Sequence, residues 1–148
     1  MKYEIIDCGY DKDIKKAWIS IKTKYGLFLG VCKAHPEDYD IASEFTGCEI
    51  AERKAYMKAL KAHCKTISME IKTLEDLHKR LSCCKDFNYN SFEARQIRKV
   101  IYEKKEELSS YNNIIEGYKV GIENYLQNKR NKIKKIKKFQ ELRTKEVN

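Results

Sequence analysis

The chain predicts an α+β fold: a small N-terminal antiparallel β-sheet followed by a long antiparallel two-helix hairpin. Three observations carry that expectation. Residues 2–34 alternate apolar and polar side chains with the period of a strand, and from about residue 40 apolar residues recur at helical spacing. A single Pro36 and only six Gly in 148 residues, with 36% charged and 42% hydrophobic residues, suit long helices and disfavour a loop-rich or all-β chain.

Taken in order, residues 2–8 set Tyr3, Ile5 and Asp7 against Glu4, Ile6 and Cys8, an edge-like strand that the run Gly9-Tyr10-Asp11-Lys12-Asp13 is expected to end. From Ala17 to Thr23, Trp18, Ser20 and Lys22 alternate with Ile19 and Ile21. After Lys24-Tyr25-Gly26, Leu27, Leu29 and Val31 alternate with Phe28, Gly30 and Cys32. Two such runs joined by a short turn form a hairpin, giving three antiparallel strands within residues 1–34. So small a sheet does not stand alone, so one face must cover the helices that follow or join a partner's sheet.

His35-Pro36-Glu37-Asp38 stops the third strand, and Asp40 or Ser43 is placed to cap the first helix, expected over residues 40–82. Steps of three and four from Ile50 reach Arg53, Met57, Leu60, Cys64, Ile67, Ile71, Leu74, His78 and Leu81, a seam with two polar members. Residues 83–91 form a turn. The second helix, expected over residues 91–128 with Ser91 as its cap, has the seam Ile97, Ile101, Lys104, Leu108, Tyr111, Ile115, Tyr118, Ile122 and Tyr125. At 1.5 Å per residue, about 40 residues of first helix reach roughly 60 Å, more apolar stripe than the sheet can cover, which predicts a homodimer or higher homo-oligomer.

Residues 1–128 therefore read as a single domain and residues 129–148 as a basic tail, helical or frayed. The formal charge of +9 is concentrated there: nine Lys or Arg against Glu141 and Glu146 leave +7 in the tail and +2 in the body. Such a tail either attracts nucleic acid weakly or is a solvated helix end whose lysines suit the helix dipole. The chain has no apolar run near the roughly 18 residues needed to span a bilayer, and Met1-Lys2-Tyr3-Glu4 lacks a signal-peptide pattern, so a cytoplasmic protein with no membrane partner is expected.

Six cysteines are then expected as reduced thiols. Cys32-x-x-His35, His63-Cys64 and Cys83-Cys84 do not complete a four-ligand set, so no metal is expected, and no cofactor either. Gly-rich phosphate loops, nucleophile elbows and zinc-protease helices are missing from the sequence. With three His, of which His63 reads as solvated and His78 as an interface residue, an enzyme is not favoured and no catalytic residue is assigned. His35, Glu37 and Asp38 cluster at the strand-to-helix corner, as capping groups or as acid–base groups.

Arg53 stands out because a guanidinium on an apolar seam needs a counter-charge or a route to solvent. Glu49 and Glu52 offer an intrahelical ion pair. The alternative is phosphate capture, to which a planar five-donor fork is suited. Around the turn, Phe87, Tyr89, Asn90, Phe92, Arg95 and Arg98 mix rings with guanidinium groups, the chemistry by which nucleotides are stacked and their phosphates held.

The strand hairpin, the stretches His35-Pro36-Glu37-Asp38 and Ser43-Glu44-Phe45-Thr46-Gly47-Cys48, and then Ala51-Glu52-Arg53-Lys54-Ala55 leading into two long helices, resemble small proteins of phages infecting Firmicutes. In particular the chain resembles the Thoeris anti-defence sponge family, over its length to about Tyr125. That resemblance implies a non-catalytic oligomer, assembled from dimers, that binds cyclic ADP-ribose isomers made by bacterial TIR-domain enzymes and keeps them from their effector. Some members bind cyclic oligonucleotide signals at a separate site. The resemblance gives Arg53 the ligand pyrophosphate, Phe92 or Phe87 the stacking ring, Asn90 a base edge, and Arg95 or Arg98 further phosphate contacts. Two helical Arg one turn apart are expected of the family; this chain has Arg95 with Lys99, or Arg95 with Arg98.

The function these readings predict is sequestration, without degradation, of a cyclic nucleotide second messenger in the host cytoplasm, blocking immune signalling. The alternatives are a nucleic-acid-binding or anti-CRISPR-type inhibitor acting through the tail, and a coiled-coil adaptor without a ligand.

Overall fold

The computed structural model describes residues 1–146, with side chains through residue 141. Strands β1 (Glu4–Asp11), β2 (Lys16–Thr23) and β3 (Gly26–Lys33) are followed by a 3₁₀ turn (Pro36–Asp38) and two helices, α1 (Glu44–Ser82) and α2 (Phe92–Glu146). The fold is α+β, and the sheet is an antiparallel meander in the order β1-β2-β3. The described residues divide into two compact units, one of residues 1–59 and 117–146, the other of residues 60–116. No helix among the described residues is long and apolar enough to cross a membrane.

In the first unit the sheet lays one face on α1. Ala17, Ile19 and Ile21 of β2 are buried against Ala51, Ala55 and Ala59, which recur every four residues along the helix. Residues paired across an antiparallel ladder share a face, and Ile19 pairs with Gly30 of β3. A Cβ on Gly30 would sit 1.8 Å from the carbonyl oxygen of Ala51. Glycine on the strand and alanine on the helix thus allow backbone to approach backbone. The same approach closes the outer edge of β3: the ammonium of Lys58 donates to the Leu29 carbonyl at 2.6 Å and that of Lys54 to the Val31 carbonyl at 3.2 Å. These lysines satisfy edge carbonyls that would otherwise template another strand.

Strand β1 runs farther than the sequence predicts, through Gly9 to Asp11. Trp18 lies over Gly9, where a Cβ would come 2.1 Å from its ring, and the indole Nε1–H donates to Asp7 Oδ2 at 3.3 Å. Glycine here accommodates a ring and does not break the strand. A register shift between Ile5 and Asp7 interrupts the expected alternation and bulges Ile6 out of the ladder.

Helix α1 begins at Glu44, four residues after the predicted start. Ser43 is its cap, its Oγ accepting the Thr46 N–H at 3.1 Å. Ser91 caps α2 in the same way, accepting the Ala94 N–H at 3.2 Å. Helix α2 continues past residue 128 without a break.

In the second unit, residues 60–82 of α1 and 92–116 of α2 run antiparallel. Leu60, Cys64, Ile67 and Ile71 are buried, as are Ala94 and Ile115. Glu70 pairs with Lys104, and Glu75 with Lys105 at 2.7 Å. His63, expected in solvent, has a side chain only 12% exposed, with its ring edge-on to Tyr111 at 4.6 Å and its Nε2 3.7 Å from Glu107. All six cysteines are free thiols.

Candidate functional site

The strand-to-helix corner of the first unit builds a cavity. After β3 the chain is tied back by the Ala34 N–H, which donates to the Lys15 carbonyl at 3.0 Å. Pro36 sets the 3₁₀ turn, whose cap is His35, its Nδ1 accepting the Glu37 N–H. The Asp38 carbonyl then accepts the N–H groups of Ile41 and Ala42, both at 3.0 Å, delivering the chain to the Ser43 cap of α1. Between this corner, β3 and the later part of α2 lies a cavity of about 210 Å³.

Its apolar lining is Tyr10, Cys32, Ile41, Ile50, Ile122 and Leu126, with the hydroxyl-bearing Ser43 and Thr46 also in the wall. The rim carries Lys15, Lys33, Lys54, Lys129 and Arg130, and Asp38 is the single carboxylate among the lining residues. Five cations around one acid, next to the N-terminal end of a long helix, make a field that favours an anion. The thiol of Cys32 is pushed up by burial against the opposing pull of Lys54, so it stays protonated and is a poor nucleophile.

Arg130 and Asp38 form the tightest polar contact at the rim. Arg130 Nε donates to Oδ1 at 2.7 Å and Nη2 to Oδ2 at 2.6 Å, a two-point fork. These bonds hold the Asp38 carboxyl below the usual carboxylate range despite the opposing effect of burial, and they raise the Arg130 guanidinium. Beyond the pair lies an open chamber of about 550 Å³, where Lys137 binds Asp40 at 2.7 Å.

The residues singled out from the sequence fall in other places. Arg53 belongs to the first unit, but it sits on the flank of α1 and not on the packed stripe, with its side chain 40% exposed. The three-and-four spacing from Ile50 describes a single partner face, whereas the buried positions turn toward the sheet through Ala51, Ala55 and Ala59. Its Nη2 donates to Glu49 Oε1 at 2.6 Å, the intrahelical ion pair. The surrounding open depression is lined by Tyr3, Tyr56, Tyr118, Glu49 and Glu52, so a phosphate there would meet two carboxylates. Glu52 accepts the Tyr3 hydroxyl at 2.5 Å, which pushes the Tyr3 phenol up to about 12, with burial adding to the shift.

The remaining five candidates lie in the second unit. Arg98 does stack on a ring, with its guanidinium carbon 3.7 Å from the centroid of Tyr89, and its Nη1 lies 3.4 Å from His78 Nε2. Phe87 packs edge-on to the same histidine at 5.8 Å. The Asn90 N–H is used in the turn, donating to Asn88 Oδ1. Arg95 and Phe92 are exposed, Phe92 at 71%. Thus Phe87 and Arg98 meet through His78, while Asn90, Phe92 and Arg95 are not drawn into that cluster.

Lys15, Lys33, Lys54, Lys129 and Arg130 were not singled out as site residues by the sequence, although the corner acids and the basic start of the tail were both noticed. Among the described residues, no group of three His, Cys, Asp or Glu converges to hold a metal ion. Comparison with protein-family models, curated proteins and solved structures gave no match.

Proposed function

We propose that the chain binds a small phosphate-bearing ligand at the basic cavity of the first unit and holds it without changing it. The observation that carries this reading is a cavity lining with five cations and a single carboxylate, four cations beyond the Asp38–Arg130 pair, beside apolar side chains. The cations suit phosphate oxygens and the apolar side chains suit a ribose or base edge.

The ligand class follows the resemblance: a cyclic nucleotide second messenger, a cyclic ADP-ribose isomer, sequestered in the host cytoplasm by a phage anti-defence protein acting as a homo-oligomer. The site differs from the one the resemblance implies, because Arg53 is engaged by Glu49 beside a second glutamate. Thermal shift against a panel of cyclic nucleotides tests the reading. A ligand at a hundredfold excess over its Kd stabilises by about 2.7 kcal/mol. Heating the complex should then return intact ligand, whereas a hydrolysed product would make the chain an enzyme.

One observation favours a second reading, nucleic-acid binding through the tail: Lys132, Lys134, Lys135 and Lys138 are exposed on α2. Against it, Arg130 and Lys137 are already matched to Asp38 and Asp40. Polyanion binding would weaken steeply with salt, in proportion to the number of phosphates neutralised.

A further inference from the structure

The cavity and the chamber beside it share His35, Asp38, Ile41 and Arg130 in their linings, so the Asp38–Arg130 pair stands in the wall between them. The polar part of that wall is held by two hydrogen bonds of one side chain. A carboxylate that meets a guanidinium through both oxygens presents the same two-oxygen edge that a phosphate presents, and either fits the planar fork. Asp38 is also the one acid in the cavity lining, and its side chain is only 12% exposed. Its backbone carbonyl, not its carboxylate, supports the turn into α1 by accepting the Ile41 and Ala42 N–H groups. The carboxylate can therefore leave Arg130 with the backbone hydrogen bonds of the corner intact.

We propose that Asp38 is a built-in competitor for the ligand's phosphate: a phosphate entering the cavity takes Arg130 from Asp38, and the parted wall joins cavity and chamber into one groove. This rests on the anion-binding reading of the cavity. It also narrows the ligand. A 210 Å³ cavity is smaller than the roughly 300–1,000 Å³ of ordinary small-molecule sites, so a lone phosphate with its sugar fills it. The joined groove takes a longer molecule, a nucleotide diphosphate whose second half lies along Gln127, Ile133 and Lys134. The exchange leaves Arg130 paired with an anion, and Lys134 and Lys137 stand with Asp38 in the lining of the chamber, where cations are at hand for the released carboxylate.

The test is calorimetric titration of inorganic pyrophosphate and of ADP-ribose into the full chain and into Asp38→Asn, which keeps size and backbone while removing the competing charge. The variant is expected to bind both probes about tenfold more tightly, a difference of about 1.4 kcal/mol. If the wild type binds and Asp38→Asn binds equally or more weakly, the competitor role is overturned and the cavity reading survives. If neither protein binds either probe, both fall. Should the variant fail to fold, the wild type decides: the Arg130 Nε–H resonance should move in step with saturation by pyrophosphate. A resonance that stays fixed while the site fills would overturn the exchange.

Discussion

Arg130 grips Asp38 through two hydrogen bonds, at 2.7 and 2.6 Å, across 92 residues of sequence. The bond fastens the 3₁₀ corner to α2 and lowers the Asp38 pKa. A carboxyl depressed in the folded state stabilises above its unfolded pKa, about 3.9 for Asp, and loses that contribution as pH falls through the lowered folded value. The wild-type Tm should therefore fall in that acid range more steeply than the Tm of Asp38→Asn. Parallel acid profiles would show that the pair contributes nothing to stability.

Tyr3 titrates in the opposite sense. Its hydroxyl donates to Glu52 and its pKa stands at about 12. A group raised in the folded state contributes below its unfolded pKa, about 10 for Tyr, and that contribution is lost as pH rises through the folded value. In a tyrosinate absorbance titration the Tyr3 phenol should ionise late, and Glu52→Gln should move that step to lower pH. An unchanged late phenol in that variant would assign the shift elsewhere.

Gly30 sets the distance between sheet and helix. With 1.8 Å between an added Cβ and the Ala51 carbonyl oxygen, Gly30→Ala forces backbone apart and should cost about 2–3 kcal/mol in denaturant unfolding. A cost below about 0.5 kcal/mol would mean that α1 is free to lift from β3.

Lys54 and Lys58 shield the β3 edge. Lys58→Ala should cost about 1 kcal/mol, and should raise self-association by exposing the Leu29 carbonyl to another strand. Sedimentation at several protein concentrations measures this, and an unchanged distribution would remove the edge-blocking role.

The parts of the fold that were legible in the sequence are those with one partner each. Strand β2 alternates cleanly because one face is buried, and the second-unit seam Leu60, Cys64, Ile67 and Ile71 packs as its spacing requires. Gly9 misled, since glycine reads as a strand end until Trp18 is seen lying over it. Arg53 misled because α1 in the first unit serves the sheet as well as α2, and the alanines that serve the sheet fall off a seven-residue frame. The cavity was the least legible part. Its acid belongs to a capping turn and its cations to the β1–β2 connection, the end of β3, α1 and α2, and no periodicity links Asp38 to Arg130.

Calorimetric titration of ADP-ribose into the wild-type chain, Lys33→Glu/Lys129→Glu and Arg53→Ala tests the cavity most directly. Each lost charged contact is worth about 1.5–3 kcal/mol. Saturable binding, weakened about a hundredfold or more by the double charge reversal and unchanged by Arg53→Ala, is the expected result. Absence of binding, or binding abolished by Arg53→Ala and untouched by the charge reversal, would contradict it.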